Sequence, residues 1–213
     1  MTSIFGTIQI LLGIFREKLD KEALKYAKIG YRGCLRLKEL IENLLDASRL
    51  ESKKFELSLQ KEDLGILVDD CINDMSYLAD TRKQTIEIDY PYKVEYEIDR
   101  LRFRQVITNI ISNAIKNTPR EGNIVISLNE KDVYIDIHVR DNGVGLTQKE
   151  KERLFEKFGK IERYGMDLDV DIEGCGLGLY ISKEIVELHG GKILVESEGR
   201  NKGTTFTIRL FKR

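Results

Sequence analysis

Apolar residues in the first twenty positions fall on one seam. Ile4, Ile8, Leu11, Phe15 and Leu19 recur at spacings of 4, 3, 4 and 4, which predicts an amphipathic helix. After a polar break near Asp20, residues 22–52 contain no proline. Leu24, Tyr31, Cys34, Leu37, Ile41, Leu44, Leu45 and Ala47 make a second, longer stripe there. Two such helices form an antiparallel hairpin. A lone hairpin cannot cover both stripes, so it packs either on the rest of the chain or on a second copy as a four-helix bundle.

The period changes after Lys54. Phe55, Leu57 and Leu59 alternate with polar residues as in a strand, which places a boundary within 51–60 and divides the chain into 1–54 and 55–213. Asp63 is a candidate N-cap for a helix carrying Leu64, Leu67, Val68, Cys71, Met75 and Leu78. Residues 85–90 alternate again up to Pro91, and 96–98 are briefly extended. A helix over 100–117, with Leu101, Val106, Ile107, Ile110, Ile111 and Ala114 on its core face, is stopped by Thr118-Pro119. In 123–141, Ile124, Ile126 and Leu128 share a buried face with Val133, Ile135, Ile137 and Val139, and the parity puts Asp141 on that face. A short helix over 147–155, a charged loop over 156–173, a helix over 177–189 ended by Gly190-Gly191, and strands over 192–197 and 203–211 complete the chain. The order predicts an α+β fold of helices against mainly antiparallel strands in two layers.

Composition narrows the partners. The 213 residues are 41% hydrophobic, enough for a real core, and 35 Lys plus Arg nearly balance 36 Asp plus Glu. That balance argues against nucleic acid or a polyacidic partner. Three widely spaced cysteines, with no CxxC, support neither a disulfide framework nor a zinc site and fit a reducing cytoplasm. The apolar run 4–15 is too short to span a bilayer, so no membrane segment is expected in these residues.

Three stretches carry chemistry. Asn109, Asn113 and Asn117 recur at i, i+4 and i+8 with Lys116 on one stripe of the 100–117 helix, although asparagine is a mediocre helix former. A carboxamide oxygen suits Mg²⁺, which takes oxygen donors and keeps phosphate oxygens in its shell; otherwise the stripe is a solvated face. The second stretch is D-N-G-V-G at 141–145. A carboxylate on an apolar face needs a donor such as an exocyclic amino group, and Gly143 and Gly145 admit close approach of a flat ring; D-N-G is also an ordinary turn signal. The third is G-C-G-L-G at 174–178, opening a helix. Three glycines each cost roughly 1 kcal/mol relative to alanine within a helix, but bare backbone N–H groups at a helix start hold phosphate.

With these in register, the chain resembles the GHKL ATP-binding superfamily, and most closely the catalytic core of sensor histidine kinases, along nearly its whole length. N-I-I-S-N-A-I-K (109–116) looks like the N box, D-N-G-V-G the G1 box, F-E-K-F (155–158) the F box and G-C-G-L-G-L (174–179) the G2 box. The resemblance implies a two-layer α/β sandwich of the GHKL (Bergerat) type after a helical dimerisation hairpin over 1–54. That hairpin would end in L-L-D-A-S-R-L-E (44–51). It implies Asn113 on Mg²⁺ with Asn109 beside it, Lys116 on phosphate, Asp141 on the adenine amino group, and a mobile ATP lid over 156–173. Lys160 falls where an arginine often reaches the γ-phosphate. Asn117, Gly143, Gly145, Phe158, Gly174, Cys175, Gly176, Leu177 and Gly178 would surround the nucleotide. Cys175 and Asn117 depart from the family's usual threonine and aromatic residue.

The activity so implied is a cytoplasmic protein-histidine kinase: a homodimer using ATP and Mg²⁺ that signals to a response-regulator receiver domain. The family's H box, H-E-L-R-T-P, is expected immediately before Thr2, which puts the acceptor histidine outside the 213 residues. Neither His138, on the outward face of a strand, nor His189, at a helix end, fits that role. Two alternatives stand beside the kinase. One is a dimeric nucleotide-sensing module that holds ATP without transferring it. The other is an ATPase of the chaperone or topoisomerase type, disfavoured because those carry a glutamate base near the position of Asn109.

Overall fold

The computed structural model describes residues 2–52, 54–90, 93–159 and 176–212. Lys160, Gly174, Cys175 and most of the expected lid lie outside them. The chain divides into two compact units, Met1–Lys53 and Lys54–Arg213.

The first unit is a helical hairpin. Helix α1 (Thr2–Gly13) packs on α2 (Lys21–Glu51), whose first turn is capped by Asp20 accepting from Ala23 N–H at 2.7 Å. Phe5 stacks on Tyr31 with ring centroids 5.4 Å apart, and Gly30 leaves room for Ile8. The first seam is shorter than its spacing suggested. α1 ends at Gly13, a poor helix former, and Arg16–Lys18 form a separate 3-10 turn. Phe15 is thereby left exposed, with the Lys18 ammonium over its ring. Ile4, Ile14, Tyr26, Ile29, Leu37, Leu44 and Leu45 are also exposed, so the hairpin keeps an apolar surface that its own two helices do not cover.

The second unit sets three helices against a five-stranded sheet. A two-stranded ribbon, β1 (Gln60–Asp63) with β3 (Glu95–Ile98), flanks α3 (Leu64–Thr81). The main sheet has the order β2 (Thr85–Asp89), β4 (Asn123–Glu130), β5 (Tyr134–Asp141), β7 (Thr204–Phe211), β6 (Gly191–Glu196). α3 packs on α4 (Arg100–Asn117) and α4 on α6 (Gly178–Leu188). Ile124, Ile126, Leu128, Ile135, Ile137 and Ile208 from the sheet, with Val106, Ile110, Ile111 and Ile185 from the helices, form the core. Each such side chain contributes about 1.5–3 kcal/mol by leaving water. A capping box closes α5 (Gln148–Arg153): Thr147 accepts from Glu150 N–H while the Glu150 carboxylate accepts from Thr147 N–H.

Several local expectations need correction. Phe55 and Leu57 are half-buried alternately, but pairing starts only at Gln60, opposite Ile98; Ser58 N–H goes instead to Asp99 Oδ2, and the Arg102 guanidinium covers the Phe55 ring. β2 runs parallel to β4, because the connection between them, through β3 and α4, carries the chain back across the layer before β4 begins, so the sheet is mixed. Leu78, Leu101 and Val133 are 45%, 71% and 64% exposed, and Phe103 and Ala79 take the interior positions. Leu101 lies in the first turn of α4, ahead of the stretch covered by its neighbours, and Val133 lies in the turn between β4 and β5, outside the ladder.

Candidate functional site

Helix α4 presents the polar stripe. Its N-cap, Asp99, accepts from Arg102 N–H at 3.0 Å and from Ser58 N–H at 3.0 Å. Burial pushes the Asp99 carboxyl up, but these backbone donors and the nearby Arg102 charge outweigh it and hold it below the usual carboxylate range. Asp99 N–H donates to His189 Nε2 at 3.0 Å, so His189 carries its proton on Nδ1 and donates it to Ile185 O at 2.7 Å. The ring is 1% exposed and edge-on to Phe103, and it ties the end of α6 to the start of α4. His138 lies on the other face of the sheet, its Nδ1 2.9 Å from Thr207 Oγ1.

Along the stripe, Asn109 Nδ2 donates to buried Ser182 Oγ of α6 at 2.9 Å, which leaves Asn109 Oδ1 facing Asn113 Nδ2 at 3.5 Å. Asn117 Nδ2 donates to the Asn113 carbonyl at 2.7 Å. The contact with Asn109 turns the Asn113 amide nitrogen toward Asn109, leaving its Oδ1 the oxygen available to a hard cation. Lys116 is half-buried one helical turn further on.

The D-N-G-V-G turn meets the C-terminal end of this stripe. Asp141, 4% exposed as its parity predicted, accepts through Oδ1 from Gly143 N–H at 2.8 Å and Thr204 N–H at 3.2 Å. Val144 N–H donates to the Asn117 carbonyl at 3.0 Å. A Cβ at Gly143 would sit 2.2 Å from that carbonyl oxygen, so only glycine lets the turn approach α4. Gly145 packs on Gly199, and Ser197 Oγ accepts from Leu146 N–H at 2.9 Å while donating to Gly203 O at 2.6 Å.

At the other end of the stripe, α6 starts at Gly178. A Cβ there would lie 2.5 Å from Asn109 Oδ1, so the start of α6 is brought directly against the first asparagine. Among the described residues no side chain caps this helix; Leu177, at the N-cap position, is buried, and Gly176 backs onto Phe158. The first N–H groups of α6 have no partner within the helix, the arrangement that suits an anion. Phe158 is 63% exposed, with φ of 58°.

The structure therefore brings Asn109, Asn113, Lys116, Asn117, Asp141, Gly143, Gly176, Leu177 and Gly178 around one side of α4, with Gly145 behind the turn. Sequence reasoning missed Ser182, Ser197, Gly203 and Thr204. The G-T-T run opening β7 was a visible signal for two of them: Gly203 N–H donates to Gly143 O at 3.0 Å, and a Cβ at Gly203 would meet Asp141 O at 2.0 Å. Ser182 had no signal, because a serine inside a helix reads as neutral.

Residues 98–213 match the family described as histidine kinase-, DNA gyrase B- and HSP90-like ATPases. The chain belongs to this family. Its ATPases make ATP the nucleotide against which the site is read. Among curated proteins, the chain is 35% identical over 185 residues to the sensor histidine kinase WalK of Bacillus subtilis, covering 82% of this chain and 28% of WalK. It is 29% identical over 214 residues to the histidine protein kinase DivJ of Caulobacter vibrioides, covering 99% of this chain and 34% of DivJ. The chain thus spans about a third of the length of these relatives. Among solved structures, full-length ShkA in complex with AMPPNP superposes with a TM-score of 0.77 at 26% identity over 98% of this chain and 42% of that one. The histidine kinase ThkA in complex with the response regulator TrrA gives 0.70 at 24% identity over 98% of this chain and 59% of that one, a likeness of fold. No helix among the described residues is long and apolar enough to cross a membrane.

Proposed function

We propose that residues 54–213 bind ATP with Mg²⁺ and present its γ-phosphoryl group to a histidine outside the 213 residues. The whole chain is read as the cytoplasmic core of a sensor histidine kinase. The carrying observation is that one face of α4 meets the Asp141 turn at one end and the uncapped start of α6 at the other. A carboxylate acceptor for a base, a carboxamide oxygen and free amides for phosphate lie along that face in the order of a nucleoside triphosphate.

Asp141 accepts from the adenine amino group, and the Gly143 and Thr204 amides keep its carboxyl oriented for that bond. Asn113 Oδ1 holds the metal, with Asn109 fixing it through their contact and Ser182 fixing Asn109. Mg²⁺, when bound, neutralises phosphate charge. Lys116 and the α6 amides hold phosphate oxygens in line for attack, and Lys160, Gly174 and Cys175 are assigned to the same task from the resemblance alone. In the transfer the bond between the γ-phosphorus and the bridging oxygen breaks, ADP leaves, and a phosphorus–nitrogen bond forms; positioning and charge neutralisation supply most of the catalysis. Asn109 is a carboxamide, so this place on α4 has no carboxylate to take a proton from water, which favours transfer to a protein acceptor over hydrolysis.

The uncovered apolar surface of the hairpin pairs with a second copy, and the phosphohistidine is passed on to a receiver domain. Titration calorimetry with ATP, with and without Mg²⁺, tests the nucleotide reading. Binding that needs Mg²⁺ and weakens in Asn113→Ala supports it. Equal affinity for ATP with and without the metal, in both proteins, refutes the metal assignment.

A further inference from the structure

Gln84 lies in the connection between α3 and β2, outside every motif that points to the nucleotide. Its side chain is buried, and its Nε2 faces three carbonyl oxygens of one turn: Ile115 at 3.0 Å, Thr118 at 2.7 Å and Pro119 at 3.2 Å. Arg82 Nη2 reaches the same Thr118 oxygen at 3.1 Å. The backbone holds this connection in place: Gln84 N–H donates to Ala79 O at 3.0 Å, Glu121 N–H to Arg82 O at 3.1 Å and Thr85 N–H to Gly122 O at 3.0 Å.

Only one end of the carboxamide is used. Among the described residues Gln84 Oε1, which is buried, has no hydrogen-bond partner. A buried amide usually satisfies both its donor and acceptor ends, so this position has been filled for its donors. Ile115 belongs to the last turn of α4, whose final carbonyls have no partner inside the helix, and Thr118 and Pro119 follow that turn directly. Asn117, in the middle of that turn, accepts from Val144 N–H through the carbonyl oxygen that Gly143 crowds. Gln84 thus sets the last turn of α4, and that turn sets the D-N-G-V-G segment that aims Asp141.

We infer that Gln84 is a positioning residue for the adenine end of the site, acting as a donor-only clamp on the C-terminus of α4. The inference rests on the reading of Asp141 as the adenine acceptor. It makes a chemical demand that bulk packing would not. Lysine, with three donors and no acceptor, should replace Gln84, whereas methionine, of similar length but apolar, and glutamate, which offers acceptors to carbonyls, should not.

The test compares Gln84→Lys, Gln84→Met and Gln84→Glu by two readouts, at a temperature where circular dichroism shows each folded. The first is hydrogen exchange at the Val144 amide without nucleotide, and the second is the dissociation constant for ATP with Mg²⁺. The expected result is exchange and affinity within about twofold of the parent in Gln84→Lys. In Gln84→Met and Gln84→Glu, exchange should be about tenfold faster and affinity about tenfold weaker, the scale of one lost buried hydrogen bond. If Gln84→Glu does not fold, the lysine and methionine variants decide the matter. A lysine variant as impaired as the methionine variant overturns the inference, as does unchanged Val144 exchange in the methionine variant. A parent protein that binds no ATP, with Val144 exchange still following the donor pattern, overturns the nucleotide reading and leaves the clamp as a structural device.

Discussion

Replacing Asp141 by asparagine separates the adenine contact from the stability of the turn. Asp141→Ala would strand Gly143 N–H and Thr204 N–H, both buried and both bonded to Oδ1, so any loss of binding would be mixed with loss of structure. Asparagine keeps an oxygen for those two donors. It gives up their charge assistance, roughly 0.5–1 kcal/mol for each bond, which a folded unit of this size can absorb. The other carboxylate oxygen becomes an NH₂ group, and the adenine amino group then meets a donor in place of an acceptor. An unmade bond in a buried site costs about 1–3 kcal/mol, so the dissociation constant for ATP should rise about 5- to 150-fold. Guanine presents a carbonyl where adenine presents the amino group, so GTP should gain a partner from the new NH₂. The preference for ATP over GTP should fall by more than the affinity for ATP does. Competition calorimetry with both nucleotides and Mg²⁺, alongside thermal melts of the same samples, measures this. ATP affinity and the ATP-to-GTP ratio both within twofold of the parent in a folded variant would refute the assigned pocket.

Three further outcomes follow from particular contacts. Ser182→Ala removes the acceptor of Asn109 Nδ2 and should cost about 1 kcal/mol in a urea titration while weakening Mg²⁺–ATP several-fold; loss of stability with unchanged nucleotide affinity would make Ser182 a packing residue only. Asp99 and Glu150 both titrate below their ordinary range in the folded chain: in each, burial raises the value, but hydrogen bonds from Ser58 and Arg102 to Asp99, and from Thr147 and Arg200 to Glu150, outweigh it. Their folded values lie below the unfolded values near pH 4, so the stability they contribute is complete above about pH 5 and lost as pH falls through the folded values. Asp99→Asn should flatten the acid limb of urea midpoint against pH, and a limb of unchanged slope would contradict this. Gly143→Ala should abolish nucleotide binding, because its methyl would collide with the Asn117 carbonyl; a folded variant with full affinity would show that the turn has room the structure denies it.

The sequence was most legible where local chemistry and long-range packing agree. The helix over Arg100–Asn117 is bracketed by an N-cap aspartate and a Thr-Pro stop, and its bounds could be read directly. The buried place of Asp141 follows from strand parity alone. Reading failed where a partner remote in sequence decides the outcome. Phe55, Leu57 and Leu59 alternate like a strand, yet among the described residues no strand pairs with the backbone there, and pairing waits for the polar segment Gln60–Asp63. Leu101 and Val133 fit apolar periods but lie just past the edges of the surfaces that cover their neighbours. The asparagine stripe could be seen in the sequence. Its tether to Ser182, 73 residues away, and the hold of Gln84 on the end of α4 could not, because neither residue type announces a donor or acceptor role without its partner in view.

The measurement that bears most directly on the central claim is phosphoryl transfer from ATP radiolabelled at the γ-phosphorus. It is made with Mg²⁺, on the 213-residue chain and on the same chain extended upstream by an H-E-L-R-T-P segment. His189 is buried with both ring nitrogens engaged, and His138 is bonded to Thr207 on the sheet face opposite Asp141, so neither is placed to attack a phosphate held against α4. The account predicts acid-labile, base-stable label on the added histidine and none on the chain as it stands. Label on His138 or His189, or an added histidine that stays unlabelled while ATP is bound, would contradict it, the second result in favour of a module that senses nucleotide without transferring it.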